Sequence, residues 1–339
     1  MAKLKISELN EADKKLTNEQ TYDSALGAMV TKLKEYIAPL VNEAFGEKFT
    51  EKAEVTLRNN KHVLQRTDQS LDHRESDMVI ELTESIGQLI KKVYMFECET
   101  WYDKTIVFRI AEYGASVAIE TAEITDDGVI LNIPNSAVIF LHPNKRIPQV
   151  MKITYRGPNG DEMSYSVPTL QIKDYSVDQL FKKKLLILLP FYLFRFVNEF
   201  DEMEESAEKR KELNKALSDI NKRLERLMKQ QKIDAYQKMT IQSLLKRVSD
   251  RLVVRYRNLK KEVDEIMSGA IARTEADVIL EKGYNQGFND GKNTKVNNEL
   301  IFFRYLYENG RTEEVKELIY DPALLKVRMA EFENKENKS

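Results

Sequence analysis

The stretch KKVYMFECETWYDK, residues 91–104, combines the composition of a buried strand with two glutamates. Residues 93–96 are β-branched, aromatic or otherwise apolar, as is typical of strand interiors. Because side chains alternate between the two faces of a strand, Glu97 and Glu99 are predicted to share one face. A carboxylate buried without a partner is costly, so each glutamate requires a compensating charge. The pair therefore predicts either a bound cation or a structural Arg or Lys beside it.

The composition limits the classes of protein to which the chain can belong. It has 339 residues, a net charge of −2 and 42% hydrophobic residues, enough for a sizeable core. A net charge near zero predicts no global field for nucleic acid or membranes. The single cysteine, Cys98, excludes an internal disulfide and fits a reducing compartment. No apolar run follows the first charged residues, so we expect a cytoplasmic protein without a signal peptide or membrane contact.

The hydrophobic pattern of the first two hundred residues predicts a mixed α/β domain. Residues 19–45 have helical spacing, and Pro39 is expected to kink this helix or divide it in two. The apolar stretch 185–197 contains Pro190 and is too short to cross a bilayer, so it predicts a buried, kinked helix. The other expected elements are strands within 54–64 around a turn at Asn59-Asn60, strands at 77–82, 93–99, 129–133 and 137–141, a helix at 104–120, and a hairpin over 150–167.

Beyond residue 197 the composition favours long helices. Residues 207–261 contain 17 Lys and Arg against 6 Asp and Glu. Basic helices of this kind either follow nucleic acid phosphates or present a solvated coiled-coil face. Their apolar residues alternate spacings of four and three, the pattern of a coiled-coil seam, and predict a homodimer through this region: Leu213, Leu217, Ile220, Leu224 and Leu227.

The final part of the chain predicts a linker and short helices. Gly283, Gly287 and Gly291 recur every four residues in a polar segment, which indicates a weak helix or linker. The expected regions are an N-terminal tail at 1–18, an α/β domain at 19–197, a helical, coiled-coil-like region at 198–282, and a linker with short helices and a disordered tail at 283–339.

A third carboxylate stands one strand before the two glutamates. Asp77 begins the strand at 77–82, and pairing of that strand with the next would bring it toward Glu97 and Glu99. Mg²⁺ takes carboxylate oxygens and substrate phosphate as ligands, and such an ion activates water toward a phosphodiester. On spacing alone, a solvated strand face is the alternative interpretation. Three scattered histidines and one cysteine argue against a zinc site, and no Walker loop or dinucleotide fingerprint is present.

The segments RESDMVIEL and VYMFECETWYDKTIVFRIAEYGASVAIE resemble the PD-(D/E)XK nuclease superfamily, in particular its branch of recombination-promoting nucleases and transposase-like proteins. The likeness continues through IAPLVNEAFGE upstream and through NSAVIFLHPNK and VPTLQIKDYSVDQLFKKKLLILLPFYLFRF downstream. It implies a restriction-endonuclease-like mixed sheet flanked by helices. It also implies a metal-dependent DNA endonuclease with Mg²⁺ or Mn²⁺ as cofactor, in recombination or transposition.

The resemblance assigns a role to each residue of the motif. Asp77 and Glu97 would be metal ligands, with the backbone carbonyl of Cys98 as a further ligand. Glu99 occupies the last motif position, where the superfamily usually has lysine and this branch often has glutamine. Glu99 would then act as a third ligand or a general base. Alternatively, it marks a catalytically degenerate nuclease fold that binds DNA or protein.

Several neighbouring residues complete the set of candidates. Glu43 lies on the first helix, where related folds place an additional metal-site carboxylate, or it is a surface glutamate. The missing cation would come from Lys91, Lys92 or Lys104. Arg109 and Glu112 share a helix face and would support the site, contact phosphate or form an ordinary helical ion pair.

Overall fold

Strand β5, which carries both glutamates, belongs to a mixed sheet of six strands. In the computed structural model the strands are β1 (Glu54–Leu57), β2 (Lys61–Gln65), β3 (Leu71–Glu75), β4 (Met78–Ile86), β5 (Gln88–Glu99), β6 (Glu123–Thr125), β7 (Gly128–Ile130), β8 (Asn135–Phe140), β9 (Val150–Arg156) and β10 (Glu162–Gln171). The order across the main sheet is β1-β4-β5-β8-β10-β9. The pairs β2-β3 and β6-β7 form separate two-stranded sheets.

The chain divides into two compact units, each of which is built from two separate segments of the sequence. The first comprises Met1–Leu213 and Leu244–Lys260, and the second comprises Asn214–Ser243 and Lys261–Ser339. The residues that the structure describes are 22, 25–58, 61–65, 71–75, 77–86, 88–290, 302–303, 305–306, 311, 314–315, 318 and 322–336.

Helix α2 (Ile106–Glu120) makes the crossover between the parallel strands β5 and β8. Parallel neighbours cannot be joined by a tight turn, so a helical connection of this length is expected between them. Strand β5 pairs antiparallel with β4 on its other side, and β4 pairs antiparallel with β1. The predicted mixed α/β domain with a helix-flanked sheet is therefore confirmed.

The alternation of side chains along β5 gives the sheet two buried faces. Met95 packs with Ile110 and Val117 of α2 in one hydrophobic cluster. Tyr94 and Phe96 point the other way, and their rings lie 5.1 and 5.6 Å from that of Phe45. A strand covered on both faces by helices has a nearly continuous apolar sequence, as residues 93–96 do.

The helical stretch predicted at residues 19–45 contains two helices, one of the two outcomes expected from Pro39. Residues 25–32 are helical, the chain leaves the helix at Leu33, and helix α1 (Ile37–Phe45) follows a short 3-10 turn. The break precedes Pro39, which lies in the first turn of α1, where its missing N–H removes no hydrogen bond. Gly46 ends α1 with a φ of 69°, a left-handed cap that favours glycine.

The hairpin with the Gly-Pro-Asn-Gly turn is confirmed as β9 paired with β10. The two strands expected within residues 54–64 are β1 and β2. They belong to different sheets, since β1 pairs with β4 and β2 with β3, and the turn expected at Asn59-Asn60 lies outside the described residues. The predicted strand at 129–133 is shorter and belongs to the β6-β7 hairpin, because Thr125 and Gly128 close a tight turn.

The apolar stretch near Pro190 is buried as predicted but is not an α-helix. Leu186–Glu199 forms a run of 3-10 turns, preceded by α3 (Val177–Lys182) and followed by α4 (Phe200–Glu205). Pro190 has no N–H to donate and its ring clashes with an α-helical carbonyl, which disfavours regular α-helix here. Among the described residues, no helix combines the length and the apolar character needed to cross a bilayer.

Long helices follow, as the composition predicted. They are α5 (Ala207–Lys229), α6 (Ala235–Leu252), α7 (Arg257–Asp290) and α8 (Pro322–Glu336). The polar segment with Gly283 and Gly287 continues α7, whereas Gly291 lies outside the described residues. Of the seam residues, Leu213, Leu217, Ile220 and Leu224 are fully buried within a single copy of the chain.

The second unit also buries polar side chains between its helices. Gln242 Nε2 donates to Asn221 Oδ1 at 2.9 Å, and Thr274 Oγ1 donates to Gln242 Oε1 at 2.5 Å. Each of these three residues is buried. The hydrogen bonds compensate the loss of hydration that burial of an amide or hydroxyl entails.

Candidate functional site

Pairing of β4 with β5 brings Asp77 to the end of β5. Met78 lies opposite Phe96, so Asp77, one residue earlier, falls beside the Glu97–Cys98 peptide. The backbone N–H of Cys98 donates to Asp77 Oδ2 at 2.6 Å. A charged acceptor makes this a strong hydrogen bond, and it fixes the orientation of the aspartate. The two strands therefore pair, which is the condition that the sequence set for bringing Asp77 toward the glutamates.

Glu97 and Glu99 lie on the same face of β5 and bind one guanidinium. Arg109 Nη2 donates to Glu97 Oε2 at 2.6 Å, and Arg109 Nη1 donates to Glu99 Oε1 at 2.5 Å. The Glu97 side chain is 0% exposed, that of Glu99 22% and that of Arg109 41%. The shared face predicted from the strand period is confirmed, and the cation beside Glu99 is Arg109.

The lysines expected as sources of that cation have other positions. Lys91 Nζ lies 3.2 Å from Glu81 and Lys92 Nζ lies 2.6 Å from Glu47. Lys104 is exposed before the first turn of α2. Arg109 reaches the glutamates because its neighbour Ile110 is buried against the sheet, which sets the rotation of α2. The guanidinium also lies 5.8 Å from the ring centre of Tyr113, within the range of a cation–π contact.

Burial dominates the electrostatics of Glu97. Loss of hydration, followed by the negative charge of Asp77, raises the pKa of Glu97 well above its usual value, and Arg109 only partly opposes them. Within the part of the chain that the structure describes, Glu97 Oε1 is buried and accepts no hydrogen bond. A buried carboxylate oxygen with an open lone pair and a shifted pKa is a frequent property of functional sites.

The raised pKa of Glu97 makes a prediction about the metal-free protein. Between its usual value of 4.5 and its raised pKa, the folded protein holds a proton that the unfolded chain releases. The free energy of unfolding contributed by Glu97 therefore increases as the pH falls through that window. We expect Tm in EDTA, relative to that of a Glu97→Gln variant, to rise as the pH is lowered from the alkaline side toward 4.5. Parallel pH profiles for the two proteins would contradict this.

The carboxylate of Glu43 binds a lysine and a tyrosine. Lys183 Nζ donates to both of its carboxylate oxygens at 2.7 Å, and Tyr175 Oη donates to Oε1 at 3.0 Å. Throughout the described residues, no group of three or more His, Cys, Asp or Glu side chains is placed to hold one metal ion.

Two aromatic side chains outside the sequence motif lie just beyond the ends of β5 and β8. The rings of Trp101 and His142 stack with centroids 3.9 Å apart and planes 25° apart. Trp101 follows Glu99 by two residues, and a lone tryptophan directly after the motif was the available sequence signal, whereas His142 comes from the end of β8. Their stacking depends on the parallel pairing of β5 with β8, which the sequence does not reveal.

Comparison of the chain with protein-family models, with curated proteins and with solved structures finds no match.

Proposed function

We propose that the chain is a metal-dependent DNA endonuclease of the PD-(D/E)XK type, acting in recombination or transposition. The observation that carries this proposal is the convergence of Asp77 with the fully buried Glu97 at the end of two paired strands. Burying a carboxylate beside a second one is costly and has no evident benefit for folding. The helix-flanked mixed sheet is compatible with the restriction-endonuclease-like fold that the resemblance implies.

The donor set suits a hard divalent cation. Asp77 and Glu97 offer carboxylate oxygens, and Glu97 Oε1 is buried without a hydrogen-bond partner among the described residues. Mg²⁺ and Mn²⁺ are commonly held by one or two carboxylates together with water and substrate phosphate. In the proposal Asp77 and Glu97 hold the ion, and the backbone carbonyl of Cys98 is a further ligand. When bound, the ion would lower the pKa of its water and offset charge on the phosphodiester.

Glu43 is the weakest member of the proposed site. Its carboxylate already binds Lys183 and Tyr175, so ligation would require that ion pair to open. We therefore place Glu43 outside the first coordination shell.

Arg109 and Glu99 together would replace the lysine of the usual motif. A guanidinium supplies the positive charge at this position but cannot give up its proton, so it cannot act as a base. Glu99 is partly exposed and can accept a proton from an attacking water. In the proposal Arg109 holds Glu99 in place and Glu99 acts as the general base.

The same ion pairs favour a second candidate function, a degenerate nuclease fold that binds DNA or protein without cutting. Arg109 already neutralises much of the charge on Glu97 and Glu99, as a cation would in an active site. In this alternative the arginine stabilises the fold and the basic helices serve binding.

The proposed partners are DNA and a second copy of the chain. The basic excess of residues 207–261 would contact phosphates, although several of these side chains also form ion pairs, such as Arg223 with Asp219 and Lys246 with Asp250. Because the leucine seam is buried within one copy, a dimer would have to use another face of the helices.

Nicking of supercoiled plasmid with Mg²⁺ or with EDTA tests the proposal. We expect the wild-type protein to nick with Mg²⁺ and to be inactive in EDTA. If the wild-type protein never nicks but a Glu99→Gln variant does, the degenerate-fold alternative is correct. Nicking by the wild-type protein that is equally fast in EDTA would exclude the proposed metal dependence.

A further inference from the structure

The stacked pair of Trp101 and His142 stands directly beside the carboxylate cluster. The N–H of Leu141 donates to the carbonyl of Glu99 at 2.9 Å, and the N–H of His142 donates to the carbonyl of Thr100 at 3.0 Å. These backbone hydrogen bonds extend the pairing of the two strands and set the aromatic residues opposite one another. Trp101 is two residues from Glu99, so the Cα atoms of the two residues are at most about 7 Å apart.

Half of the tryptophan surface remains in contact with solvent. Trp101 is 52% exposed although its ring stacks on His142. Tryptophan is a large, rigid aromatic side chain of the kind that contributes most to binding interfaces. Burial lowers the pKa of His142, so its imidazole is neutral at ordinary pH and adds no charge to the stack. The imidazole covers one side of the indole, and the other side offers a flat, rigid surface.

Three basic residues lie in the two loops that carry the aromatic side chains. Lys104 follows Trp101 by three residues, and Lys145 and Arg146 follow His142 at similar distances; all three are exposed. Asp103 is the acidic residue of the same loops, and its carboxylate accepts the N–H of Thr105 at 2.9 Å. A flat aromatic surface flanked by basic side chains is the arrangement with which proteins bind single-stranded nucleic acid.

We propose that Trp101, backed by His142, stacks on an unpaired nucleobase and so positions a single strand across the carboxylate cluster. This inference rests on the proposed function for its substrate, DNA, but the stacking itself requires no cleavage. Base stacking accepts every base, because each has a π-face, so the surface selects for unpaired strands and not for sequence. The basic residues would contact the phosphates on either side of the stacked base.

Trp101 is the single tryptophan of the chain, so its fluorescence reports on this surface alone. We expect titration of the full-length protein with oligodeoxythymidylate, in EDTA to prevent cleavage, to quench that fluorescence. Anisotropy of a labelled oligonucleotide should show a loss of affinity of about tenfold for Trp101→Ala and a smaller loss for Trp101→Phe. The matched control is Tyr155→Ala, which removes a partly exposed aromatic side chain that also stacks on a second ring, Tyr165, of the β9-β10 hairpin and should leave affinity unchanged.

Each outcome separates stacking from cleavage. Quenching and weakened binding of Trp101→Ala uphold the inference even if the wild-type protein never nicks plasmid. Binding with unchanged fluorescence, equal affinity of Trp101→Ala and wild type, or no binding of the oligonucleotide overturns it, whatever the nicking assay shows. Quenching by blunt duplex as strong as by the single strand would also overturn it, because paired bases present no open face.

Discussion

Substitution of Asp77 by Asn or of Glu97 by Gln is expected to reduce Mg²⁺-dependent nicking on the order of 10³-fold. Both changes remove a negative oxygen from the proposed metal site while keeping the size of the side chain. In the Asp77→Asn variant the amide oxygen can still accept the N–H that Cys98 donates to Asp77, so the local geometry should be retained. The measurement is the rate of conversion of supercoiled to open-circular plasmid at saturating protein.

The stability of these variants distinguishes a lost site from a lost fold. Glu97→Gln replaces a fully buried carboxyl, whose ionisation burial opposes, by a neutral amide of the same size, so we expect its free energy of unfolding to stay within about 1 kcal/mol of wild type. Glu162→Gln is the matched control, since Glu162 forms an exposed ion pair with Arg156 on the β9-β10 hairpin. Nicking that survives both site substitutions would refute the assignment of Asp77 and Glu97.

Arg109→Ala is expected to lower the free energy of unfolding by about 2 kcal/mol at neutral pH. The change leaves Glu97 buried without its counter-charge. The cost falls below that of a fully buried pair because the arginine side chain is 41% exposed and water screens it. Urea unfolding of the metal-free protein measures the difference.

A double substitution tests whether the cost arises from Glu97. Adding Glu97→Gln to Arg109→Ala should recover about 1 kcal/mol or more, since no uncompensated buried charge then remains. Arg156→Ala is the control, because that exposed pair contributes less than about 1 kcal/mol. Equal losses in the single and double variants would show that Arg109 stabilises the protein through packing and not through its charge.

The strand period was sufficient to predict that the two glutamates share a face of the strand, but it did not predict which residue pairs with them. A period of two places Glu97 and Glu99 on one face wherever the strand lies, so this prediction needed no tertiary information. Their partner comes from α2, and its identity depends on how that helix is rotated against the sheet. The rotation follows from the packing of Ile110 and its neighbours against the sheet. The positions of charged residues near the motif carry no information about that packing.

In the remainder of the α/β domain, the pairing of strands was the feature that the sequence predicted least completely. The hairpin of β9 and β10 carries its own turn signal in Gly-Pro-Asn-Gly and was predicted correctly. Strand β1 instead pairs with β4, to which no short turn connects it. The segment around Pro190 was predicted as a buried, kinked helix and is instead a buried run of 3-10 turns, because apolar composition specifies burial but not the number of residues per turn.

The buried hydrogen bonds of the second unit determine which alignment of its helices is allowed. Leucine and isoleucine side chains would pack almost as well after a slide of one helical turn, about 5.4 Å. Such a slide would separate Gln242 from both Asn221 and Thr274, which bind it from two different helices. A buried amide without partners costs about 1–3 kcal/mol, a penalty that apolar contacts alone would not impose. Polar side chains buried between α5, α6 and α7 thus help to select the alignment of these helices, whereas the leucines around them stabilise the packing in more than one alignment.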